Sequence, residues 1–249
     1  MSGALSSMAE LQPKFRFADP VLLIGGGEVS APALRVARAK ASVLIAADGG
    51  ANHFEGDKSA LAAGIGDLDR LGAVAEWRAA LSGRLLALAE QDTTDFEKCL
   101  YSVDAPLYLA VGFLGGRMDH SLATMHVLAK RADQRVILLS EQEIHFIAPR
   151  RWRIRLPVGA RVSLYPLQPT LAERSAGLRW GLDGIDLRIG DRVGTSNEVS
   201  EPDVEVDLAG DGGDGDGDGW SSLLVTLGSE HLDAAMESIG GGAIDGGRK

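Results

Sequence analysis

Two patterns of hydrophobicity divide the chain near Pro149 and limit the folds that it can adopt. Before this point, short apolar runs such as Val21-Leu22-Leu23-Ile24 alternate with segments of helical periodicity. This alternation is typical of an α/β domain with a mostly parallel sheet, whose buried strands are apolar on both faces. After it, short strands separated by turns predict an antiparallel β-sandwich. We therefore expect a Rossmann-like α/β domain followed by a β-sandwich domain.

The same pattern predicts domain limits and individual elements. We place an N-terminal extension at residues 1–18, the α/β domain at 19–148, the sandwich at 149–235 and a flexible tail at 236–249. Strands are expected at residues 21–24, 43–47, 85–88, 107–111, 135–139, 152–156, 161–165, 177–180, 185–187, 204–208 and 223–227. Helices are expected at residues 32–39 and 71–81, through Phe96, Leu100 and Val103, and from residue 121 onward. Residues 194–198 are expected to form a polar loop.

Charge and cysteine content narrow the functional classes. The formal net charge is −10, and residues 201–219 contain eight acidic and no basic residues, so a nucleic-acid partner is not expected. The Asp-Gly repeat at residues 211–219 lacks the spacing of an EF-hand and is expected to be a disordered loop rather than a calcium site. The single cysteine, Cys99, suits a reducing compartment. No apolar run approaches the length of a membrane span, so we expect a cytoplasmic protein.

The segment Gln91-Asp92-Thr93-Thr94-Asp95 joins an apolar run to an apolar-periodic helix. Thr94 and Glu97 have the spacing of a capping box, so Asp92 and Asp95 should lie at a strand-to-helix turn. In a parallel sheet such turns lie at the edge where ligands bind. The two carboxylates, with Lys98 one turn further on, suit a divalent cation beside phosphate. Alternatively, the acidic residues only stabilise the helix dipole.

A second pair of carboxylates occurs in Gly66-Asp67-Leu68-Asp69. In an extended segment both side chains point the same way, and a divalent metal is the usual means of offsetting their repulsion. A solvated turn is the alternative. Asp48, which follows the strand at 43–47, can reach a ligand or cap the next helix.

Two glycine-containing turns are candidates for binding phosphate. Gly25-Gly26-Gly27 follows the first strand, but it matches neither a dinucleotide fingerprint nor a Walker loop, and a plain tight turn is equally consistent. Arg117 follows Gly115 and Gly116 at a strand-to-helix turn, which is a suitable place for a phosphate-binding guanidinium. His120, beside Asp119, is either a general base or a surface or capping residue.

Five motifs in one order resemble those of thiamine pyrophosphokinases. They are Ala47-Asp48-Gly49-Gly50-Ala51-Asn52, Gly66-Asp67-Leu68-Asp69, Gln91-Asp92-Thr93-Thr94-Asp95, Gly115-Gly116-Arg117-Met118-Asp119-His120 and Thr195-Ser196-Asn197-Glu198, with Gly177-Leu178-Arg179-Trp180 as a further match. The resemblance implies a homodimer with active sites at the subunit interface. It also implies that the β,γ-pyrophosphoryl group of ATP, bound with Mg²⁺, is transferred to the hydroxyl of thiamine with release of AMP.

The resemblance also implies a role for each matching residue. Asp67, Asp69 and Asp95 would bind Mg²⁺, Arg117 would hold phosphate, and Asp119 would orient the phosphate or the attacking hydroxyl. The remaining binding residues would be Asp48 and Asn52 at the nucleotide edge, Gln91, Asp92, Lys98, Gly115 and Gly116 around the phosphates, and Ser196 and Asn197 at the pyrimidine ring of thiamine. Trp180 or Trp220 would supply an aromatic face for the cationic thiazolium.

The chain departs from the family pattern at two places. Arg70 replaces the Ser that often follows the second Asp of the Gly-Asp-x-Asp motif, and Val225 stands where some members have an aromatic residue. Two other functions remain open at this level. One is a pyrophosphokinase for another alcohol, such as a hydroxymethylpterin, and the other is a non-catalytic sensor of thiamine diphosphate or nucleotide.

Overall fold

The computed structural model describes residues 12–54, 56–69, 71–210 and 219–240. The chain forms two compact units, which divide between Thr124 and Met125. The domain boundary predicted from the sequence, between residues 148 and 149, differs from this division and stays a prediction. Arg70, which departs from the family pattern, lies outside the described residues. So do residues 211–218, which contain most of the Asp-Gly repeat, and residues 1–11 and 241–249.

Unit 1 contains a parallel sheet with helices between its strands. Its elements are β1 (Phe15–Arg16), β2 (Val21–Ile24), α1 (Ala31–Lys40), β3 (Val43–Ala47), β4 (Ala63–Gly66), α2 (Val74–Leu81), β5 (Leu85–Ala87), α3 (Asp95–Ser102), β6 (Val103–Asp104) and β7 (Tyr108–Val111). Short 3-10 helices lie at Asp48–His53 and Lys58–Ala60, and α4 (Met118–Lys130) crosses the division.

The order of strands in the parallel sheet creates a binding edge. The order is β7-β2-β3-β4-β5, and each neighbouring pair is parallel. Strands β3, β4 and β5 extend to one side of β2, whereas β7 lies on the other side. In open α/β sheets, ligands bind outside the carboxyl ends of the strands where the order reverses in this way. The central strand β2 is fully buried, as its aliphatic sequence predicts.

Unit 2 consists mainly of antiparallel strands. Its elements are β8 (Val136–Leu139), β9 (Glu143–Pro149), β10 (Arg151–Arg155), β11 (Arg161–Pro166), β12 (Thr170–Ala176), β13 (Ile185–Leu187), β14 (Gly194–Glu198), β15 (Asp203–Leu208), β16 (Trp220–Gly228) and α5 (Leu232–Ile239), with a 3-10 helix at Ser229–His231. The strands lie in the orders β14-β11-β16-β9-β8 and β10-β15-β12-β13.

The core of unit 2 joins these two sets of strands. The ring of Phe146 on β9 meets Trp152 on β10 edge-on, with 6.0 Å between ring centroids. Trp152 is fully buried, and its indole N–H donates to Ser238 Oγ of α5 over 3.3 Å. A buried indole N–H needs such a partner, so this bond fixes α5 against β10.

The predicted fold class, an α/β domain with a mostly parallel sheet followed by antiparallel strands, is confirmed. Among the described residues, no helix is long and apolar enough to cross a membrane. Several helix limits shift. The helix expected from residue 71 begins at Val74, and the helix expected to include Val103 ends at Ser102. The helix expected from residue 121 already begins at Met118.

Several local predictions are wrong, for physical reasons that the structure supplies. Residues 194–198 form β14, a strand at the end of its sheet order, where polar residues are tolerated. Residues 177–180 are not a strand and keep one isolated bridge, from Leu178 to Val199, because Gly177 turns the chain with φ 73°. Strand β5, expected to be buried, ends its sheet and is partly exposed.

Several further elements are not predicted at all. They include β1, β4, β6, β9, β12 and α5, and the last four residues of α5 fall within the predicted flexible tail. In β12 the buried positions are Thr170 and Ala172, so its inward face carries no large apolar residue. Without such residues the period-2 pattern of a strand is hidden in the sequence.

Candidate active site

A cavity of about 840 Å³ opens at the carboxyl ends of the parallel strands of unit 1. Its size falls within the usual range for small-molecule sites, about 300–1,000 Å³. Segments that follow all five parallel strands contribute to its wall. The lining includes Gly26, Gly27, Glu28, Asp48, Asn52, His53, Asp67, Asp69, Gln91, Thr93, Thr94, Asp95, Phe96, Lys98, Phe113, Gly115, Gly116, Arg117, Asp119, His120 and Thr124.

Three carboxylates meet at this cavity. One oxygen each from Asp48, Asp67 and Asp69 lies within 4.8 Å of the other two. Asp48 follows β3 and is buried, whereas Asp67 is half-buried and Asp69 is exposed. Such a set of hard oxygen donors fits Mg²⁺, which prefers carboxylates and phosphate oxygens as ligands. Among the described residues this is the group whose chemistry fits the metal that the family resemblance implies.

Backbone conformation brings these carboxylates together. Asp48 and Leu68 both adopt left-handed backbone conformations, with φ 40° and 68°. Neither residue is a glycine, and such conformations are uncommon and tend to be retained at functional sites. Gly66 is also required, because a Cβ atom there would lie 2.6 Å from the Cβ of Asp48. The turn after β4 therefore closes tightly against Asp48.

Hydrogen bonds fix the orientation of Asp67. Gln91 Nε2 donates to Asp67 Oδ2 over 3.0 Å, and the backbone N–H of Asp69 donates to Asp67 Oδ1 over 3.2 Å. The bond from Gln91 is the main cause that lowers the pKa of Asp67, with smaller contributions from Asp69 and Lys98 against the opposing effect of burial. The carboxylate is thus held ionised, as a metal ligand must be.

Helix α3 presents Asp95 and Lys98 to the cavity. Thr94 caps the helix as predicted, and its side chain accepts from the backbone N–H of Glu97 over 3.2 Å. Lys98 is 2% exposed, and its Nζ lies 3.6 Å from Asp95 Oδ1. Burial raises the pKa of Asp95, and the charges of Asp48 and Asp67 raise it further, while Lys98 opposes the shift.

The turn after β7 carries Arg117 and Asp119. Gly115 and Gly116 have φ 86° and 63°, which only glycine adopts easily, so they let the chain turn back before α4 begins. Arg117 Nε donates to Asp119 Oδ1 over 3.1 Å, and a second guanidinium nitrogen pairs with Oδ2. The hydrogen bond from Arg117 lowers the pKa of Asp119. Both side chains are exposed and can reach a ligand.

Most predicted site residues of unit 1 line the cavity, namely Asp48, Asn52, Asp67, Asp69, Gln91, Asp95, Lys98, Gly115, Gly116, Arg117 and Asp119. Asp92 is exposed and is not part of the lining, and its backbone N–H donates to Glu90 instead. The three-carboxylate group contains Asp48 in place of the predicted third ligand, Asp95. Their assignment as ligands stays a prediction.

The two predicted site residues of unit 2 have different surroundings. Ser196 is exposed and has φ 59°, and its backbone N–H donates to Ser163 Oγ. Asn197 is 4% exposed. Its Oδ1 accepts from the backbone N–H groups of Trp180 and Glu198, and its Nδ2 donates to the carbonyl of Trp180. Its amide therefore ties β14 to the segment at Trp180.

Several cavity residues were not predicted from the sequence. They include Glu28, His53, Phe96, Phe113 and Thr124. The rings of Phe96 and Phe113 pack with centroids 4.7 Å apart, and Thr124 Oγ1 donates to the carbonyl of Phe113 over 3.0 Å. Phe113 directly follows Gly112 at the end of a predicted strand, and this position is a signal from which it could have been predicted.

Family models match both parts of the chain. The catalytic domain of thiamin pyrophosphokinase matches residues 35–139, and the vitamin B1 binding domain of thiamin pyrophosphokinase matches residues 151–211. Thiamine pyrophosphokinase 1 of Oryza sativa subsp. japonica is 30% identical over 199 residues, which cover 67% of this chain and 75% of the rice protein. The chain belongs to the thiamine pyrophosphokinase family. Membership makes it a transferase of the kinase class.

Other members of the thiamine pyrophosphokinase family agree with this assignment. Thiamine pyrophosphokinase 1 of Arabidopsis thaliana is 33% identical over 137 residues, 49% of this chain and about half (51%) of that relative. Among solved structures, thiamin pyrophosphokinase from Geobacillus thermodenitrificans has a TM-score of 0.66 at 23% identity and covers 84% of this chain and 97% of that one. Yeast thiamin pyrophosphokinase has a TM-score of 0.65 at 16% identity and covers 91% and 94%. These two structures show a shared fold.

Proposed function

We propose that this protein is a thiamine diphosphokinase, which transfers the β,γ-pyrophosphoryl group of ATP to the hydroxyl of thiamine. The observation that carries the proposal is the group formed by Asp48, Asp67 and Asp69 at a cavity that also contains Lys98 and Arg117. This combination of carboxylates and cations suits a polyphosphate with its divalent ion. The family assignment then points to thiamine as the acceptor.

In the proposed reaction, the hydroxyl oxygen of thiamine forms a bond to the β-phosphorus of ATP. The bond between this phosphorus and the oxygen bridging to the α-phosphate breaks, and AMP leaves with that oxygen. The hydroxyl proton passes to a base or to solvent. Because the bonds to phosphorus are loose in such transfers, catalysis depends mainly on positioning and on neutralising charge.

The chain's own cations and carboxylates divide these tasks. Arg117 is exposed at the mouth of the turn after β7, so its guanidinium can bind two phosphate oxygens at once. Lys98, held in the wall by burial, supplies fixed positive charge close to Asp95. Asp119 has a lowered pKa, which makes it a weak base. We therefore assign Asp119 to orienting Arg117 and the attacking hydroxyl rather than to removing its proton.

We propose that Asp67 and Asp69 bind Mg²⁺ together with Asp48 or Asp95. The grouping of oxygens within 4.8 Å favours Asp48 as the third ligand. When bound, the ion would neutralise negative charge on the phosphate oxygens of ATP. Gln91, which donates to Asp67, would keep that carboxylate in place.

A homodimer in the cytoplasm completes the proposal. Two large apolar side chains on α4 support an interface between copies, since Met118 is 73% exposed and Leu122 is 62% exposed. The cytoplasmic location is supported by the single, buried cysteine. Light scattering on a size-exclusion column would test the dimer, and a monomeric mass at micromolar concentration would contradict it.

The direct test is to incubate the purified protein with ATP, Mg²⁺ and thiamine and to identify the nucleotide product. Thiamine-dependent AMP together with thiamine diphosphate would support the proposed transfer. ADP would mean that a single phosphoryl group is moved, which would overturn the mechanism. A hydroxymethylpterin should give no AMP. The comparisons offer no support for a pterin substrate or for a non-catalytic sensor.

A further inference from the structure

The carboxylate of Glu90 gathers four hydrogen bonds at the entrance to the loop before α3. Its Oε2 accepts from the backbone N–H groups of Asp92 and Thr93, over 2.9 and 3.0 Å. Its Oε1 accepts from Tyr101 OH over 2.9 Å and from Thr93 Oγ1. Two of these donors belong to the backbone of the loop, and one belongs to a side chain on the helix.

These contacts tie the loop to a rigid element. Tyr101 lies within α3, beyond the fully buried Cys99, whereas Thr93 lies in the loop that precedes the helix. Burial works to raise the pKa of Glu90, but the hydrogen bonds from Thr93, Tyr101 and Asp92 together lower it. Hydrogen bonds to an ionised acceptor are about twice as strong as those between neutral groups. Glu90 therefore holds the loop firmly against α3.

The loop leads directly to the carboxylate group. Gln91 follows Glu90 in the chain, and its Nε2 donates to Asp67 Oδ2 over 3.0 Å. The other oxygen of Asp67 accepts from the backbone of Asp69. A displacement of the loop would therefore change the orientation of Asp67. The chain of contacts runs from Tyr101 through Glu90 and Gln91 to Asp67.

We infer that Glu90 is a positioning residue for the metal site, acting through the Gln91 amide on the carboxylate of Asp67. The inference rests on the proposed function only in taking Asp67 as a metal ligand. Glu90 does not itself line the cavity, so it has no direct contact with a ligand there. Its effect must therefore appear in the affinity for the metal ion. A carboxylate that only stabilises a turn would change folding stability and leave that affinity unchanged.

The test measures Mn²⁺ binding by electron paramagnetic resonance in the presence of α,β-methylene-ATP, whose α–β bridge cannot be cleaved. We expect Glu90→Gln to weaken Mn²⁺ binding by about tenfold, the lower end of the loss that follows removal of a direct partner of a metal ligand, because Glu90 acts through Gln91. The amide keeps the shape of the side chain, but it lacks the charge and offers only one acceptor atom. Glu76→Gln is the matched control, since Glu76 is an exposed residue paired with Lys58.

A pair of tyrosine variants provides a second, milder comparison. Tyr101→Phe removes one hydrogen bond to Glu90 and should weaken Mn²⁺ binding by about threefold to tenfold. Tyr108→Phe removes hydrogen bonds of similar kind, since Tyr108 OH donates to the carbonyl of Val103 and accepts from the N–H of Ala105. That variant should lower thermal stability without changing the affinity for Mn²⁺.

Each outcome bears on the inference. Wild-type affinity for Mn²⁺ in folded Glu90→Gln would overturn it, even if stability fell. Should Glu90→Gln fail to fold, equal affinities in Tyr101→Phe and Tyr108→Phe would overturn it as well. A wild-type chain that binds no Mn²⁺ would remove both the metal site and the role of Glu90. A wild-type chain that binds Mn²⁺ but makes no thiamine diphosphate would refute the proposed function and leave the role of Glu90 standing.

Discussion

The acidic edge of unit 1 and strand β14 of unit 2 both carry predicted substrate-binding residues, but they hold their polar groups in opposite ways. At the acidic edge, three carboxylates converge on a cavity and are positioned by neighbouring hydrogen bonds and unusual backbone angles. In β14, both the oxygen and the nitrogen of the Asn197 amide bond to the backbone of the protein itself.

The carboxylates of the acidic edge face a cavity that a ligand can enter, whereas the amide of Asn197 is already hydrogen-bonded to the protein backbone. One oxygen each from Asp67 and Asp69 lies within 4.8 Å of the other, so a cation between them would offset the repulsion of like charges. The amide of Asn197 would instead have to give up protein partners to bind thiamine. Ser196, its neighbour in the strand, is exposed, so the side chain of Ser196 can bind a ligand without giving up such partners. The comparison thus favours a structural role for Asn197.

The largest effect is expected from Asp67→Asn. We predict that the formation of AMP falls by at least about 100-fold, because the variant weakens the proposed metal site and the charge neutralisation that depends on it. Folding stability should be nearly unchanged, because the reduced repulsion between like charges offsets the weakened hydrogen bond from Gln91. Turnover is followed as AMP and stability as the thermal midpoint.

A matched control for Asp67→Asn is Asp104→Asn, because Asp104 is an exposed aspartate that pairs with Arg16 away from the cavity. Its turnover should equal that of the wild-type protein. Turnover by Asp67→Asn within a few-fold of wild type, under saturating Mg²⁺, would show that the carboxylate group is not the metal site.

An intermediate effect is expected from Asn197→Ala, and it appears in stability. The change leaves two backbone N–H groups and one carbonyl at Trp180 and Glu198 without their partner. We predict a loss of about 1–3 kcal/mol in the free energy of unfolding, measured in urea. Ser196→Ala, at an exposed position, should change it by less than about 0.5 kcal/mol.

The opposite pattern would break the comparison between the two regions. If Asn197→Ala kept its stability but raised the KM for thiamine by tenfold or more, the amide would be a ligand group, as the sequence predicts. The family-derived role of Asn197 would then hold, and the acidic edge and β14 would be alike in presenting their polar groups to substrates.

The smallest effect concerns His145 on β9, which is half-buried and has its Nδ1 2.9 Å from Thr226 Oγ1. Burial lowers the pKa of His145, with Arg161 also lowering it and Glu143 opposing. The unfolded chain therefore takes up this proton before the folded chain does, so stability falls as the pH drops below about 6.5. His145→Asn should flatten this dependence in urea titrations between pH 5 and 7. An unchanged slope would contradict the assignment.

The sequence predicted much of unit 1 because the signals of these elements are local. An apolar run followed by Asp48-Gly49-Gly50 marks a strand and its turn without knowledge of the rest of the fold. The grouping of Asp48 with Asp67 and Asp69 is not local. It depends on the register of β3 against β4, in which Ala47 lies opposite Ile65 and so brings the two turns side by side. Periodicity along one strand contains no information about that register.

Unit 2 and the loop of Glu90 were harder to predict for a different reason. Strands β12 and β14 have small or polar residues where the pattern requires large apolar ones, so they were missed or taken as a loop. Glu90 was missed because its importance lies in its four donors, one of which is Tyr101 on the next helix. A lone acidic residue in a sequence gives no sign of such partners.

Cys99, the only cysteine of the chain, can report on the opening of helix α3. It is fully buried in the helix that also contains Asp95 and Lys98, and burial raises the pKa of its thiol well above the usual range. A thiol reagent can reach this sulfur only when the helix detaches from the sheet. The rate of labelling therefore measures how often the part of the protein that carries the proposed metal site opens in the native state, and nucleotide with Mg²⁺ should slow it.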